Sequence, residues 1–510
     1  MWLKIVKPID SLIDGVSMYR LLLYYLIGLL LAAIGLSAVG DLHYSPVNIA
    51  VSAIVMVITC WLVNKVLAYV FEAPVNPESS IITALILALI IPPTFARFGI
   101  LFMLSASGLA MASKYIVSYR FKHIFNPAAI AVVLTGIGAH QYASWWVGTS
   151  VMLPFVIIGG LLVMRKVRRE HMVVTFLVVT TLTTLAYTAA ASGNLGMALK
   201  NEILSSAAFY LGFVMLTEPY TSPPTRSKQL WYAAIVGFLL APQVHLGHAY
   251  TTPEIALVLG NIYAFIVSPK LKLFPELREK RRITPDTVEF DFNPDADITY
   301  QPGQYMEWTL PHTHVDSRGS RRYFTLSSSP TERELAIAVK FYDPGSSYKA
   351  AMLDIDRNSA IVASQLAGDF TLPKDKDRKL AFIAGGIGIT PFRSMVKYML
   401  DTKEHRDAAL LYSARTEADF AYRDIFQQAE QKMGLRTSYI VSDRRAQTRQ
   451  PDTYSGKLNA TAIKRLVPDY QERTFYISGT HSMVESMQEA LQSLGVPGHH
   501  VKVDFFSGYA

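Results

Sequence analysis

Cysteine and charged residues are both scarce in this sequence, and each scarcity excludes a class of protein. Cys60 is the only cysteine among 510 residues. A single cysteine excludes intramolecular disulfides, cysteine-held iron–sulfur clusters and haem attached through a Cys-x-x-Cys-His motif. Charged residues are only 17% of the chain and hydrophobic residues are 51%, an unusual balance for a soluble protein. Since most charges follow Pro269, we predict a membrane domain followed by a soluble one.

Ten apolar runs occupy the first half of the chain. Several are shorter than the roughly 20 residues that a straight span needs, so tilted, broken or re-entrant segments are expected in an α-helical polytopic membrane domain. The first run is long enough to span, and no cleavable signal is therefore expected. The runs cover residues 19–39, 45–71, 79–94, 98–112, 127–138, 145–164, 172–191, 203–216, 230–241 and 253–267.

The loops between these runs predict the orientation of the membrane domain. With ten spans, both chain ends lie on one side, and basic residues concentrate in the loops of that side, which predicts cytoplasmic termini in a cell (inner) membrane. The net charge of +8 reflects this topology rather than a nucleic-acid surface. The opposite loops hold Arg97 and Lys200, whereas the cytoplasmic loops hold Lys4, Lys7, Arg20, Lys114, Arg120, Lys122, Arg165, Lys166, Arg168, Arg169, Arg226 and Lys228.

A short aromatic and hydroxyl-rich stretch organises the soluble half. Arg322-Tyr323-Phe324-Thr325 reads as a β-strand, and it carries a bidentate cation, aromatic rings and a hydroxyl at short spacing. This stretch resembles the Arg-x-Tyr/Phe-Ser/Thr motif of the ferredoxin–NADP reductase family. The segment Pro344–Tyr348 resembles the second flavin-phosphate motif of that family. The resemblance implies FAD bound by Arg322, Tyr323, Phe324, Thr325, Ser327, Lys340, Gly345, Ser346, Ser347 and Tyr509.

A glycine-rich loop follows the apolar strand 379–384 and precedes a helical pattern. This order suits a dinucleotide pyrophosphate. In the same family resemblance, the late strand ends at a loop beside the nicotinamide, with Ser478 in place of the usual cysteine. Arg415 suggests NADPH without deciding between NADPH and NADH. The resemblance implies NAD(P)H bound by Gly385, Gly386, Gly388, Thr390, Pro391, Ser413, Arg415, Ser478 and Gly479.

The soluble half is divided by its pattern into three parts. Residues 269–282 form a basic linker suited to anionic headgroups. Alternating strands over 283–373 predict an antiparallel FAD-binding β-barrel, and alternating strands and helices over 374–510 predict a doubly wound α/β NAD(P) domain. The aromatic C-terminus, with Tyr509, either covers the flavin or belongs to a buried edge strand.

Two polar breaks interrupt the membrane half, one near 113–126 and one near 217–225. Polar groups at membrane depth are costly and usually mark a site. The breaks resemble segments of the flavin-carrying membrane subunits of two complexes, the sodium-pumping NADH:quinone reductase and the Rnf complex. This resemblance covers residues 20–268 and implies a flavin in the membrane domain 1–268. Its expected contacts are Ser113, Lys114, His123, Asn126, Pro127, Thr217, Glu218, Pro219, Thr221, Ser222 and Thr225.

The flavin-attaching Ser-Gly-Ala-Thr of those subunits is absent from this chain, so we expect an FMN-like flavin held without a covalent bond. The leading interpretation is an NAD(P)H-dependent, FAD-containing oxidoreductase that passes electrons through this second flavin to a membrane or extracytoplasmic acceptor. A quinone, an extracytoplasmic flavin protein and ferric iron all fit as acceptors, and nucleic acid does not. Alternatives are a redox-driven cation pump, or a haem-free ferric or quinone reductase whose spans serve as an anchor.

Haem is disfavoured because the histidines of the membrane half lie in loops rather than in stacked helical pairs. No metal site and no single catalytic acid or base is predicted.

Overall fold

The computed structural model describes residues 13, 16–71, 77–119, 122–205, 207–247, 249–269, 272–316, 318–343, 345–443 and 453–506. The chain forms two compact units, Met1–Lys270 and Leu271–Ala510, so the boundary is close to the predicted one at residue 268. Several residues used in the predictions lie outside the described residues, namely Lys4, Lys7, Arg120, Pro344 and Tyr509.

The N-terminal unit is helical, as its apolar runs predict. Four of its described helices are long and apolar enough to cross a membrane: Met18–Ala38, Pro46–Val70, Arg97–Ile116 and Glu170–Ala190. The count of ten spans stays a prediction. The helices are α1 (Met18–Ala38), α2 (Pro46–Val70), α3 (Pro77–Ile90), α4 (Arg97–Ile116), α5 (Pro127–Ala139), α6 (Leu153–Val167), α7 (Glu170–Ala190), α8 (Leu195–Leu204), α9 (Arg226–Leu240) and α10 (Pro253–Val267).

The end of the short helix α3 lies inside the helical unit, and its terminal carbonyls are satisfied there. Helix α3 ends at Ile90, whose carbonyl accepts hydrogen bonds from the Ser144 and Trp145 amides at 3.0 Å. The Trp146 indole donates to the carbonyls of Ala88 and Ile91, both at 3.0 Å. Because a buried helix end with unpaired carbonyls is costly, these bonds allow a broken segment in an apolar setting.

Two predicted runs differ from the helices that form. The run 145–164 begins with a 3₁₀ turn at Trp146–Gly148, and α6 starts only at Leu153, where Pro154 occupies the favoured first turn. The run 203–216 becomes a short α-helical turn, Ala208–Tyr210, followed by a π-helical turn, Leu211–Met215. A π-turn adds a residue to the helical repeat and is frequent beside functional sites. Here it leads directly into the second polar break.

The C-terminal unit begins with two antiparallel sheets, which confirms the antiparallel strands expected of the FAD part. One sheet has the order β6-β3-β2 and the other β1-β7-β4-β5. Both sheets contribute to one core that includes Phe290, Trp308 and Ile337. The elements are β1 (Lys272–Leu273), β2 (Glu276–Thr284), β3 (Thr287–Asn293), β4 (Tyr305–Thr309), β5 (Arg321–Thr325), β6 (Leu335–Lys340), α11 (Ser347–Asp354) and β7 (Val362–Ala367).

The predicted linker over 269–282 is wrong for most of its length, because strands β1 and β2 begin within it. Its basic side chains have protein partners: Arg281 contacts Glu289 at 2.5 Å and Asp291 at 3.4 Å, and Arg278 pairs with Glu334. The dense positive charge had obscured a strand in which Leu277 faces the core between exposed neighbours. The linker is therefore part of the FAD sheet.

The rest of the unit is a parallel sheet with helices, as predicted for a doubly wound NAD(P) domain. Its strand order is β11-β10-β9-β8-β12-β13, and every pairing is parallel. The last strand, Val501–Phe506, lies at the edge of the sheet. Tyr509 lies beyond the described residues, so the choice between a flavin cover and a buried edge strand for the aromatic C-terminus stays open. The elements are β8 (Leu380–Gly385), α12 (Thr390–Thr402), β9 (Ala408–Ala414), α13 (Arg423–Met433), β10 (Arg436–Val441), β11 (Thr453–Ser455), α14 (Ala460–Leu466), β12 (Thr474–Thr480), α15 (His481–Ser493) and β13 (Val501–Phe506).

Candidate flavin and nucleotide sites

Arg322 is fixed in place on β5 although it is buried. Its guanidinium lies 4.9 Å from the centroid of the Tyr348 ring, and Nη1 donates to the carbonyl of Arg318 at 2.7 Å and that of Gly319 at 3.1 Å. The Tyr348 hydroxyl donates to the Trp308 carbonyl at 3.1 Å, so the ring beneath Arg322 is also held. A buried guanidinium with a fixed orientation suits bidentate binding of a phosphate.

Positive charge accumulates at the start of α11. Burial lowers the pKa of Lys349 to about 8, and the nearby charges of Arg322, Arg318 and Lys340 contribute to this lowering in that order. Lys340 pairs with Asp286 at 2.8 Å, and Lys349 lies 4.7 Å from the ring centroid of Tyr342. Cations held this close repel one another unless an anion lies among them. The cluster therefore suits the two negative charges of a pyrophosphate.

The backbone at the start of α11 completes this phosphate site. Ser346 is the N-cap, and its hydroxyl accepts from the Lys349 amide at 3.3 Å. The Ser347 hydroxyl accepts from the Asp316 amide at 3.0 Å. Gly345 has little room for a side chain, since an added Cβ would lie 3.0 Å from the Tyr342 carbonyl oxygen. The structure thus places Arg322, Lys340, Gly345, Ser346 and Ser347 in one region. Because helix N-termini favour anions, this region suits a phosphate.

We expect FAD binding to weaken as pH rises through about 8. Lys349 is protonated below its pKa of about 8 in the flavin-free protein, and a bound phosphate raises that pKa. Binding therefore takes up a proton above pH 8, and the Kd rises by up to about tenfold per pH unit until the raised pKa is passed. Flavin fluorescence quenching between about pH 6.5 and about pH 9.5 measures this. Lys349→Met should flatten the profile, and an unchanged slope in that variant would contradict the assignment.

The predicted ring contacts divide between two faces of β5. Phe324 is half-buried, with its ring centroid 6.1 Å from that of Tyr348, the ring on which Arg322 rests. Tyr323 contacts Tyr305 edge-on at 5.7 Å. The Thr325 hydroxyl is buried, and within the described part of the chain it has no hydrogen-bond partner. An unpaired buried hydroxyl is costly, so it fits a bond to a flavin ring atom.

The Ser327 hydroxyl has a protein partner. Its hydroxyl donates to Glu289 Oε1 at 3.0 Å, and the Tyr422 hydroxyl donates to the same oxygen at 2.6 Å. Ser327 is fully buried, and so is Glu289. The Ser327 side chain therefore belongs to a polar network with Glu289 and Tyr422. Its hydroxyl can still accept a hydrogen bond, and its contact with a flavin stays a prediction.

The nucleotide residues lie together at the carboxyl edge of the parallel sheet. Strand register pairs Gly385 with Ser413 and Ala384 with Ser478. The Ser478 hydroxyl is buried without a hydrogen-bond partner among the described residues. This edge is where open α/β sheets bind their ligands. Around it, helix α12 begins at Thr390 with Pro391 in its first turn, Gly479 adjoins Gly385, and Arg415 is exposed just beyond the end of β9.

The glycines of this loop have distinct roles, and we expect their alanine variants to differ. Gly386 has φ +53° with open space around an added Cβ, whereas a Cβ on Gly388 would lie 2.4 Å from the Ser478 carbonyl oxygen. Gly386→Ala should cost about 1–2 kcal/mol of stability and raise the KM for NAD(P)H several-fold.

Gly388→Ala should lower the thermal midpoint more than Gly386→Ala does, because the backbone of β12 has to move. Steady-state kinetics and thermal unfolding of both variants, with FAD content as the control, test this. An unchanged KM for NAD(P)H in Gly386→Ala would mean that the nucleotide pyrophosphate does not bind at this loop.

In the N-terminal unit, the two polar breaks converge on Glu218. The Asn126 side-chain amide donates to Glu218 Oε2 at 2.8 Å, and the Thr221 hydroxyl donates to the same oxygen at 3.0 Å. His123 Nε2 lies 3.6 Å from Glu218 Oε1, and the His123 ring stacks on Tyr220. The contact between Asn126 and Glu218 thus joins residues that are 92 positions apart in sequence. The Glu218 cluster is defined as Glu218 together with His123, Asn126, Thr221 and Asn261.

Asn261 joins the two breaks and was not predicted. Its Oδ1 accepts from the backbone amide of Asn126 at 2.9 Å. Its Nδ2 donates to the Thr221 carbonyl and to the Tyr232 hydroxyl, both at 3.1 Å. Asn261 is fully buried in α10. It was the one amide in the apolar run 253–267, a signal that a search for polar residues within spans would have found.

The other predicted membrane contacts have partners of their own. Lys114 donates to Ser79 and Thr83 on α3 at 3.0 Å rather than to a break residue. Arg169 donates to Ser222 and to the Thr217 carbonyl, and so holds the second break. Of the remaining predicted contacts, the Ser113 hydroxyl bonds the carbonyl of Ala110 in its own helix, Pro127 begins α5, and Thr225 precedes α9 without capping it.

An open cavity adjoins the Glu218 cluster. Its volume is about 40 Å³. Pockets that bind small molecules commonly enclose about 300–1,000 Å³, so a flavin bound here requires the cavity to widen. The predicted membrane residues therefore border a small space with a polar lining. Its polar lining comes from Tyr19, Ser79, Thr83, Asn126, Thr217 and Glu218, and Pro219 also lines it.

Comparisons with known proteins agree with the architecture of the C-terminal unit. Residues 382–489 match the family model of the oxidoreductase NAD-binding domain. The chain is 26% identical over 225 residues to the glycine betaine monooxygenase reductase subunit of Chromohalobacter salexigens, covering 43% of this chain and 60% of that protein. It is 28% identical over 256 residues to an NADPH oxidoreductase of Mycobacterium tuberculosis, covering 48% of this chain and 63% of that protein.

A solved structure, the FAD/NAD-binding domain of nitric oxide dioxygenase from Vibrio cholerae, aligns with a TM-score of 0.41 and 21% identity over 46% of this chain and 98% of that one. The chain spans about six-tenths of the length of the curated relatives it matches. The matched segment and the motifs coincide in the same unit. The C-terminal unit therefore contains an oxidoreductase NAD-binding domain and is similar in sequence to reductases.

Proposed function

We propose that this protein oxidises NAD(P)H at its C-terminal unit and delivers the electrons through a flavin site in its N-terminal unit to an acceptor across a cell (inner) membrane. Both termini would be cytoplasmic, as the loop charges predict, and the lipid bilayer would surround the helical unit. A soluble reductase needs no polar site among apolar helices, so this site distinguishes the proposed function from that of a soluble reductase.

The convergence of the two breaks on Glu218 is the observation that carries this proposal. A carboxylate, two side-chain amides, an imidazole and a hydroxyl meet beside an open cavity in a unit whose helices are largely apolar. Helices that served only as an anchor would gain nothing from these groups, since burying polar groups in an apolar setting is costly. A bound ligand with a polar ring edge accounts for them.

In the C-terminal unit, the side chains have separate tasks. FAD supplies the chemistry of accepting a hydride from a nicotinamide and releasing electrons one at a time. Arg322 and Lys349 would hold its pyrophosphate, and the Thr325 hydroxyl would bond its ring. Gly386 leaves space for the NAD(P)H pyrophosphate, and the buried Ser478 hydroxyl lies in the loop that the family resemblance assigns to the nicotinamide.

In the N-terminal unit, the side chains fit an FMN-like flavin held without a covalent bond. Asn126 Nδ2 has a second hydrogen that can bond a ring edge while the first stays on Glu218, and Asn261 fixes both Asn126 and Thr221. The Ser-Gly-Ala-Thr motif to which the resembled subunits attach their flavin is absent, which supports binding without a phosphoester bond. The acceptor is a quinone, an extracytoplasmic flavin protein or ferric iron, and the reductase-subunit relatives support a protein acceptor.

A redox-driven cation pump is the second candidate, and the carboxyl group of Glu218 in an apolar unit favours it. The two candidates differ in a measurable way. A pump requires turnover to depend on the driven cation, and transmembrane electron transfer alone does not.

The flavin content of the purified full-length protein tests the proposal. After denaturation, we expect one FAD and one FMN-like flavin per chain, both released into solution and separated by chromatography. Release of FAD alone would mean that the N-terminal unit binds no flavin and that its helices serve as an anchor. Flavin that stays with the denatured polypeptide would show covalent attachment and contradict only that part of the proposal.

A further inference from the structure

The start of α11 already carries an anion from the protein itself. Asp316 Oδ2 accepts from the Ser347 amide at 3.1 Å, and Asp316 also pairs with Arg318 at 2.9 Å. The helix N-terminus and one member of the cation cluster are thus both bound to this carboxylate. Burial raises the pKa of Asp316, but hydrogen bonds from Ser347 and Arg318 outweigh it and lower that pKa, so the group is ionised at neutral pH.

The loop that carries Asp316 is attached to α11 through Ser347. The Ser347 hydroxyl accepts from the Asp316 amide at 3.0 Å and lies 3.0 Å from His312 Nε2. On the other side, Arg322 Nη1 holds the carbonyls of Arg318 and Gly319. The loop therefore bridges the two motifs that the FAD phosphates would join, and these bonds to it all come from residues of that phosphate site.

We infer that Asp316 is a specificity-determining residue, an internal anion that competes with the flavin phosphates for the α11 N-terminus and for Arg318. This inference rests on the proposed FAD site. When no flavin is bound, the carboxylate balances part of the cation cluster formed by Arg318, Arg322, Lys340 and Lys349. When a phosphate binds, the carboxylate has to release the Ser347 amide and Arg318, and this exchange lowers the net affinity for phosphorylated flavins.

Competition and a supporting role predict opposite changes in FAD affinity when Asp316 is removed. If Asp316 merely positioned Arg318 for FAD, its removal would weaken FAD binding. If it competes, its removal strengthens binding of ligands with phosphate and leaves a flavin without phosphate unchanged. Charge-assisted hydrogen bonds are stronger than neutral ones, and Asp316→Asn should lower the Kd for FAD by roughly tenfold or more.

The test uses the full-length protein in detergent, stripped of flavin, and compares Asp316→Asn with the wild type. The Kd values of FAD, FMN and riboflavin are measured by fluorescence quenching. FAD and FMN should bind more tightly to the variant and riboflavin equally. Asp354→Asn, at the exposed opposite end of α11, is the matched charge control and should change none of them. Weaker or unchanged FAD binding by Asp316→Asn would overturn the inference.

A second measurement needs no variant. Hydrogen exchange of residues 311–320 should become faster in the wild type when FAD is bound, because the loop is released from Ser347. Stronger protection of the loop on FAD binding would overturn the inference. Failure of the wild type to bind FAD at all would contradict the proposed function instead, so the two failures are distinguishable.

Discussion

Arg322→Ala is expected to leave the purified protein with little FAD while its membrane flavin stays bound. The guanidinium is buried and rests on the Tyr348 ring, and its charge adds to those of Arg318, Lys340 and Lys349 at the start of α11. Removing one partner of a buried charged pair typically costs about 2–5 kcal/mol. The Kd for FAD should therefore rise by a factor of roughly 30 or more, and NAD(P)H oxidation should fall in proportion.

Arg333→Ala is the matched control, since Arg333 is an exposed arginine of the same unit. Arg322→Lys should fall between the two, because it keeps the charge and loses the bidentate fork. FAD content by chromatography and initial NAD(P)H oxidation rates provide the measurements. Full FAD occupancy and unchanged affinity in Arg322→Ala would mean that the flavin phosphates bind elsewhere.

Glu218→Leu is expected to remove the membrane flavin and to stop electron delivery across the membrane, with NAD(P)H oxidation by a soluble dye unchanged. Leucine has a similar volume and inserts well into apolar helices. It leaves the Asn126 amide and the Thr221 hydroxyl without their acceptor, and a buried unsatisfied group costs about 1–3 kcal/mol. We expect at least a roughly tenfold loss of FMN-like flavin occupancy.

Glu254→Leu is the control for a change of the same kind in the same unit. Glu254 is a buried carboxylate that accepts from the Trp145 indole at 2.9 Å and has no described contact with the Glu218 cluster. Its variant should keep the membrane flavin. Equal flavin loss in both variants would show that any buried carboxylate of this unit is needed for folding, and normal flavin in Glu218→Leu would separate Glu218 from the site.

The order of the soluble elements could be predicted because each motif has a local physical cause. A glycine loop between an apolar strand and an amphipathic helix has few other uses, and β8 and α12 flank it as expected. The predicted linker over 269–282 was wrong because its lysine- and arginine-rich composition is also compatible with a strand. Strand β2 forms there because its basic side chains pair with carboxylates such as Glu289 on the neighbouring strand.

The site was predictable in type but not in its contacts. The sequence indicates that Ser327 is near a flavin motif, but not that its hydroxyl is used by Glu289, which is 38 positions away. Likewise, the two polar breaks could be found as departures from apolar runs, whereas their meeting at Glu218 depends on helix packing. Asp316 had no local sequence signal, because its partner Ser347 is distant in sequence, whereas Asn261 could have been found as the one amide of an apolar run.

Proteoliposomes that contain the full-length protein and trapped ferricyanide test the central claim most directly. NADH or NADPH is added outside, where it reaches only the molecules whose C-terminal unit faces outward, and the absorbance of the trapped ferricyanide is followed. The account predicts that wild-type vesicles reduce the trapped ferricyanide, and that Glu218→Leu vesicles oxidise the nucleotide with an external dye but leave the trapped acceptor oxidised. Wild-type vesicles that reduce only external acceptors would contradict electron transfer across the membrane.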